Sequence, residues 1–168
     1  MSDQALQASM TTGPHSMLAR LCGSWKGMTK TFFEPDILTD KSPWQGTISP
    51  ILNGLFVQYN YSGSLQGKPL TGTAIFGYNI IANKYQCAWM DSFHNGTSMM
   101  FCEGLLNDTT VNVLGKYDAP DGSPSWGWRT TVEITTTDKI VVTMYNITPE
   151  GIEAKAVETI FQRIPGSP

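Results

Sequence analysis

The sequence predicts an all-β fold, an up-and-down antiparallel β-barrel of about ten strands with a short N-terminal helix closing one end. Three observations carry that expectation. From Trp25 onward β-branched, aromatic and small residues alternate with period two, broken by turn signals every eight to twelve positions or so. Glycines fall inside the expected strands, at Gly27, Gly46, Gly72, Gly77, Gly104, Gly115 and Gly127, where they weaken a flat strand but permit the bends of a closed barrel. Ahead of this region a short amphipathic run, His15 to Leu21, leads into Gly23-Ser24-Trp25-Lys26-Gly27, a helix stop followed by a strand entry.

Taken in order, residues 1–14 are polar, end at Gly13-Pro14 and read as a flexible lead-in to a single barrel domain over 15–164. Met17, Leu18, Leu21 and Cys22 recur at three- and four-residue spacing. That spacing puts them on one face of a helix of about two turns, which Gly23 ends. Strands are expected near 25–33, 45–52, 55–63, 70–78 and 84–93, then near 98–106, 110–117, 126–135, 139–147 and 153–163. Between them Asn53-Gly54, Gln66-Gly67-Lys68-Pro69, Asn95-Gly96, Asn107-Asp108, Pro120-Asp121-Gly122 and Pro149-Glu150-Gly151 favour turns or positive φ. Strands joined by such short turns run antiparallel, and their even cadence favours neighbour pairing over Greek-key returns.

Composition removes several classes of function. A formal net charge of −3, with no run of Lys or Arg, lacks the footprint that nucleic acid requires. The N-terminus has no basic segment followed by an apolar one, and no stretch approaches the roughly 20 apolar residues that span a bilayer, so a cytoplasmic protein without a membrane partner is expected. Cys22, Cys87 and Cys102 are odd in number and lack Cys-x-x-Cys spacing, which points to reduced thiols. The only histidines are His15 and His94, with no ligand-like spacing, so no metal site is expected. A nucleophile elbow and a glycine-rich phosphate loop are both missing.

Gly23-Ser24-Trp25 entering a strand is similar to the entry of lipocalins and other calycins, in which a Trp plugs the closed end and a basic residue of the last strand stacks on it. The resemblance implies those barrel-closing roles for Trp25 and Arg163. Nearly the whole of 15–163 also resembles the bacterial family DUF1579. The likeness runs through Gly23-x-Trp25-x-Gly27, Glu34-Pro35, Phe56-Val57 with Tyr61-x-Gly63, and Gly77-Tyr78-Asn79, then Trp89-Met90-Asp91-Ser92, Glu103-Gly104, Arg129 with Glu133, and Glu158 with Arg163. It implies the barrel and carries no activity with it. The same entry resembles nitrobindins, ten-stranded barrels that hold haem through a His on a late strand. Residues 126–163 contain no His, so no cofactor is expected by that route, and a Cys, Met or Tyr axial ligand stays open.

The segment Lys84 to Leu106 holds most of the candidate chemistry, and its register decides what faces inward. A two-residue turn at Asn95-Gly96 would set Asp91 opposite Met100; a bulged three-residue loop would set it opposite Met99. The bulged register is preferred here, because it gathers Trp89, Asp91, Met99, Phe101 and Glu103 on one face. Asp91 and Glu103 then become the candidate catalytic carboxylates, raised in pKa by burial, or else paired to Arg129 or bonded to a Tyr or Trp. Some 13 Å would separate them, so each would act without the other.

His94 sits either on an exposed turn or at a barrel mouth. Together with Tyr59, Tyr61, Trp89, Asp91, Met99, Phe101, Glu103, Arg129 and Tyr145 it forms the candidate binding set for a small apolar or amphipathic molecule, provided the barrel is open and not packed solid. Two other functions fit the same residues. One is a cofactor-independent isomerase, cyclase or hydratase with a single acid or base. The other is a homodimer joined through a flat patch of Trp126 and Trp128.

Overall fold

A computed structural model describes residues 2–94, 96–105, 110–119 and 121–166, apart from the side chain of Leu105. Its strands are β1 (Gly23–Glu34), β2 (Ile37–Ile51), β3 (Phe56–Leu65), β4 (Lys68–Asn79) and β5 (Lys84–Asp91), then β6 (Met100–Leu105), β7 (Thr110–Tyr117), β8 (Trp126–Thr136), β9 (Lys139–Ile147) and β10 (Glu153–Arg163). Each pairs antiparallel with its neighbours in sequence, and β1 pairs with β10, which closes the ring. Two helices, α1 (Asp3–Thr11) and α2 (Pro14–Leu21), precede the barrel. No helix among the described residues is long and apolar enough to cross a membrane.

Two elements depart from the sequence expectation. Residues 3–11 form α1 in place of a flexible lead-in: the Ser2 hydroxyl caps its start by accepting from the Ala5 amide at 3.3 Å. Buried Ser9 then ties α1 to α2 through His15, with Oγ 2.7 Å from Nδ1. Strand β2 begins at Ile37 instead of near 45, because Pro35-Asp36, with Asp36 at φ 62°, turns the chain back directly after Glu34. Gln66 and Gly67, both at positive φ, make the two-residue turn between β3 and β4. The expected turn residues Asn95, Asn107-Asp108 and Pro120 lie outside the described residues.

Helix α2 plugs one end of the ring by burying Met17, Leu18 and Leu21. Trp25 follows at 0% exposure and donates from Nε1 to the Leu21 carbonyl at 2.9 Å. Directly across the β1–β10 ladder stands Arg163, its guanidinium 4.2 Å from the Trp25 ring centroid. Arg163 also donates to the carbonyls of Cys22, Arg20 and Thr137. Arg20 lies in the last turn of α2 and Cys22 is its C-cap, where carbonyls lack intrahelical donors, so Arg163 caps the plug and holds it to the last strand. A Cβ on Gly23 would land on this guanidinium, and φ at Gly23 is +141°; glycine is required there on both counts.

Above the plug, Ile48, Val57, Tyr59, Phe76, Val132 and Ile140 interdigitate. The free space among them is about 20 Å³, room for roughly one water molecule. Their part of the barrel is a packed core, so of the two interiors the sequence left open the filled one holds below Trp89.

Candidate functional site

At the end opposite the helices the barrel opens into a cavity of about 230 Å³. Its floor is Trp89, which also roofs the packed core. Trp128 stacks on Trp89, with ring centroids 5.5 Å apart and planes inclined by 10°. His94 leans over both indoles at 5.6 Å, and Phe93 meets His94 edge to face at 4.9 Å. Tyr117 closes another side and donates to Asn146 Oδ1 at 2.6 Å.

Two β-bulges shape the wall. Strict alternation would let only one of any two successive residues face the cavity, yet Phe32 and Phe33 both line it, as do Ala156 and Val157. The β1–β2 ladder shifts on either side of Phe32, and the β10–β9 ladder shifts between Lys155 and Val157. Each extra residue re-aims the side chains beside it toward the mouth.

Beneath the wall lies a hydrogen-bonded chain. Trp89 Nε1 donates to the Tyr61 hydroxyl at 2.8 Å, and Tyr61 donates to Asp91 Oδ2 at 3.2 Å. Burial, with the neighbouring Asp91 charge, pushes the Tyr61 phenol well above its ordinary pKa and keeps its proton in place. Tyr61, Gly72 and Asp91 are register partners across β3, β4 and β5. Gly72 makes the chain possible, since a Cβ there would occupy the space of the Tyr61 phenol.

Asp91, with its side chain at 0% exposure, receives three more bonds. Oδ1 accepts from the amides of Phe93 at 2.9 Å and His94 at 2.5 Å, and Oδ2 lies 2.5 Å from His94 Nδ1. Burial acts to raise the carboxyl pKa, but the hydrogen bond and charge of His94, with the two amides, outweigh it and hold Asp91 below the ordinary carboxylate value. This corrects the sequence expectation of a raised carboxyl. An ionised carboxylate only accepts, so His94 carries its proton on Nδ1, and in the neutral ring the lone pair resides on Nε2.

The same capture of amides corrects the register. Because Asp91 binds the backbone of Phe93 and His94, β5 stops at Asp91 and β6 resumes only at Met100, with Trp89 opposite Met100 and Gln86 opposite Glu103. Neither hairpin register considered from the sequence forms. Met100 and Cys102 turn inward, while Met99 and Phe101 stand 74% and 59% exposed on the outside. Glu103 is also outside; it accepts from Gln86 at 2.7 Å and pairs with Lys84 at 3.4 Å, so it is not a pocket carboxylate.

Arg129 and Tyr145 lie on the outer surface too. Arg129 forms an ion pair with Glu153, and its guanidinium sits 5.5 Å from the Tyr145 ring centroid. Tyr59 and Tyr61 are inside but belong to the packed core and to the Asp91 chain. Of the expected binding set, Trp89 and His94 line the mouth and Asp91 stands behind His94. Trp128 faces inward at 5% exposure, so the outer Trp126–Trp128 patch does not form.

The sequence reading missed Phe32, Phe33, Tyr117 and Asn146 as a set. The one available signal was the pair of apolar runs, Phe32-Phe33 and Ile37-Leu38, flanking the turn at Pro35. The facing thiols Cys87 and Cys102 are raised in pKa by burial, Cys102 to about 11, which leaves them poor nucleophiles.

The chain matches the family described as "Protein of unknown function (DUF1579)" over residues 10–163. The sequence matches none of the curated proteins. Among solved structures it is similar to Rv2717c from M. tuberculosis, with a TM-score of 0.60, 12% identity, and 95% of this chain and 97% of that one covered. It is also similar to the S-type phycobiliprotein lyase CPES from Guillardia theta, with a TM-score of 0.59, 10% identity and the same coverage, 95% and 97%. At these identities the likeness is one of fold.

Proposed function

The chain belongs to the DUF1579 family, and from its geometry we propose that it binds a small, flat, largely apolar molecule at the barrel mouth, above Trp89. One observation carries this reading. The cavity of about 230 Å³ has an aromatic wall whose one imidazole, His94, is held in place from behind by Asp91. Apolar walls supply affinity by burial, and a few fixed polar groups supply orientation. The packed core beneath Trp89 supports the mouth as a rigid cup.

A thermal-shift screen of small aromatic compounds tests this, run on the natural chain and on Phe93→Ala. Compounds that raise Tm should lose most of that effect in the variant, because Phe93 forms wall and no core. Hits that stabilise both proteins equally would place binding elsewhere and refute the mouth site.

A second reading rests on the oxygens of Asp91. Both are fully occupied by donors, so the free proton site at the mouth is His94 Nε2 and not a carboxylate. A proton-transfer reaction in this cavity would run through His94, with Asp91 as its positioning residue. His94→Gln should then keep ligand affinity while abolishing turnover.

A cytoplasmic setting is part of the proposal. It fits the three free cysteines, two of which face each other across β5 and β6 and would be exposed to disulfide formation in an oxidising compartment.

A further inference from the structure

Resting on that reading of the mouth, we propose that its ligand is an organic cation, a protonated amine or amidine carried on a flat apolar body. Three features of the cavity converge on this class.

The first is the wall. It contains no Lys or Arg, and half of its residues are Phe, Tyr or Trp, whose rings offer a cation their negative faces. With His94 in its neutral form, an anionic ligand would find no cation on that wall. The second is the pair behind the wall. In its neutral form His94 donates a hydrogen bond from Nδ1 to Asp91 and turns the Nε2 lone pair outward, which suits an N–H⁺ donor. The Asp91 charge lies directly behind the imidazole. Asp91 accepts from four donors and has no Lys or Arg partner among the described residues, so with His94 in its neutral form the carboxylate charge behind the wall has no cation to offset it.

The third feature is the rim. The loops and strand ends around the mouth carry Glu34, Asp36, Asp118, Asp121 and Glu150 against Lys68 and Lys116, while Lys155 pairs with Glu158 and lies in the field of Asp36, and Glu153 is neutralised by Arg129. Charges of one sign around a cleft raise the local concentration of the opposite ion and speed its arrival. Rim, wall and backing charge therefore all favour a positive ligand, and a neutral one of the same shape would gain only the apolar burial.

Three probes sharing one flat body separate the possibilities: 2-naphthylmethylamine, 2-naphthylmethanol and 2-naphthoate. Each is titrated calorimetrically at low salt and roughly pH 8, where the amine is charged. The amine should bind about tenfold tighter than the alcohol, and the carboxylate should bind weakest. Neutralising the rim with Glu34→Gln, Asp118→Asn and Asp121→Asn changes only exposed side chains. It should narrow the gap between amine and alcohol while leaving the alcohol as before.

Equal binding of amine and alcohol, or a carboxylate that binds tightest, would overturn the cation proposal and leave the mouth as a binding site. Failure of all three probes would overturn the mouth reading along with it.

Discussion

His94 Nδ1 lies 2.5 Å from Asp91 Oδ2, and the same carboxylate accepts the backbone amide of His94 through Oδ1. Asp91 thus fixes both the ring and the chain that carries it, and ends a strand in doing so. Replacing Asp91 by Ala leaves the Tyr61 hydroxyl proton, two backbone amides and the His94 Nδ1–H without their acceptor. The expected cost is about 3 kcal/mol, read by urea denaturation. Asp91→Asn, which retains one acceptor oxygen, should cost about half of that.

The pH dependence of this site follows from its sign. The folded state holds the Asp91 carboxyl below its ordinary value of 3.8. Its contribution to stability is therefore complete above that value and is lost as pH falls through the lower, folded-state value. Asp91→Asn should flatten the acid limb of the stability profile below about pH 4 and leave the neutral region parallel to that of the natural chain.

His15 gives a second pH effect at the other end of the barrel. Burial lowers its pKa from 6.5, and a hydrogen bond to the Leu55 backbone only partly offsets this. The neutral ring is the folded form, so its contribution is present above 6.5 and is lost as pH falls below it. Hydrogen exchange of the α1 and α2 amides should accelerate between about pH 6.5 and 5, and His15→Gln should remove that step.

Tyr61 and Gly72 form a mutually dependent pair. Gly72→Ala should push the phenol off Asp91 and Trp89 and cost about 1–3 kcal/mol. In a Tyr61→Ala background the same change should cost far less, since the space is then vacant. A double-mutant cycle measures this, and full additivity would mean that the two do not compete for the space.

Arg163→Lys keeps the charge and loses both the planar stack on Trp25 and the fork of donors to the α2 carbonyls. A destabilisation of about 1–2 kcal/mol is expected, with α2 the first segment to lose exchange protection. Glu103→Gln, on the outer face, should leave the melting temperature unchanged within error. A large loss there would argue for an inward Glu103.

The ten strands were legible because each depends on local chemistry, on period-two runs and on turn residues beside them in sequence. The plug was legible because Leu18, Leu21 and Trp25 carry a helical stripe into a strand entry. The face presented by β6 was not. Asn95-Gly96 resembles a tight hairpin turn, and nothing in the sequence shows that the Asp91 side chain binds the amides of Phe93 and His94 and lengthens the loop. One residue of register then reversed Met99 and Met100, and with them Glu103. The mouth wall escaped for a related reason, since the bulges at Phe32 and Val157 break the alternation on which inward and outward assignments rest.

Four tryptophan indole N–H groups report on different levels of the barrel, with Trp25 and Trp44 in the core and Trp89 and Trp128 at the mouth. Their signals in isotope-labelled protein, followed while the tightest-binding naphthyl probe is added, locate the ligand. The indoles of Trp89 and Trp128 should shift together with the His94 ring, while Trp25 and Trp44 stay fixed. Shifts at Trp25 or Trp44, with Trp89, Trp128 and His94 unmoved, would contradict a binding site at the mouth.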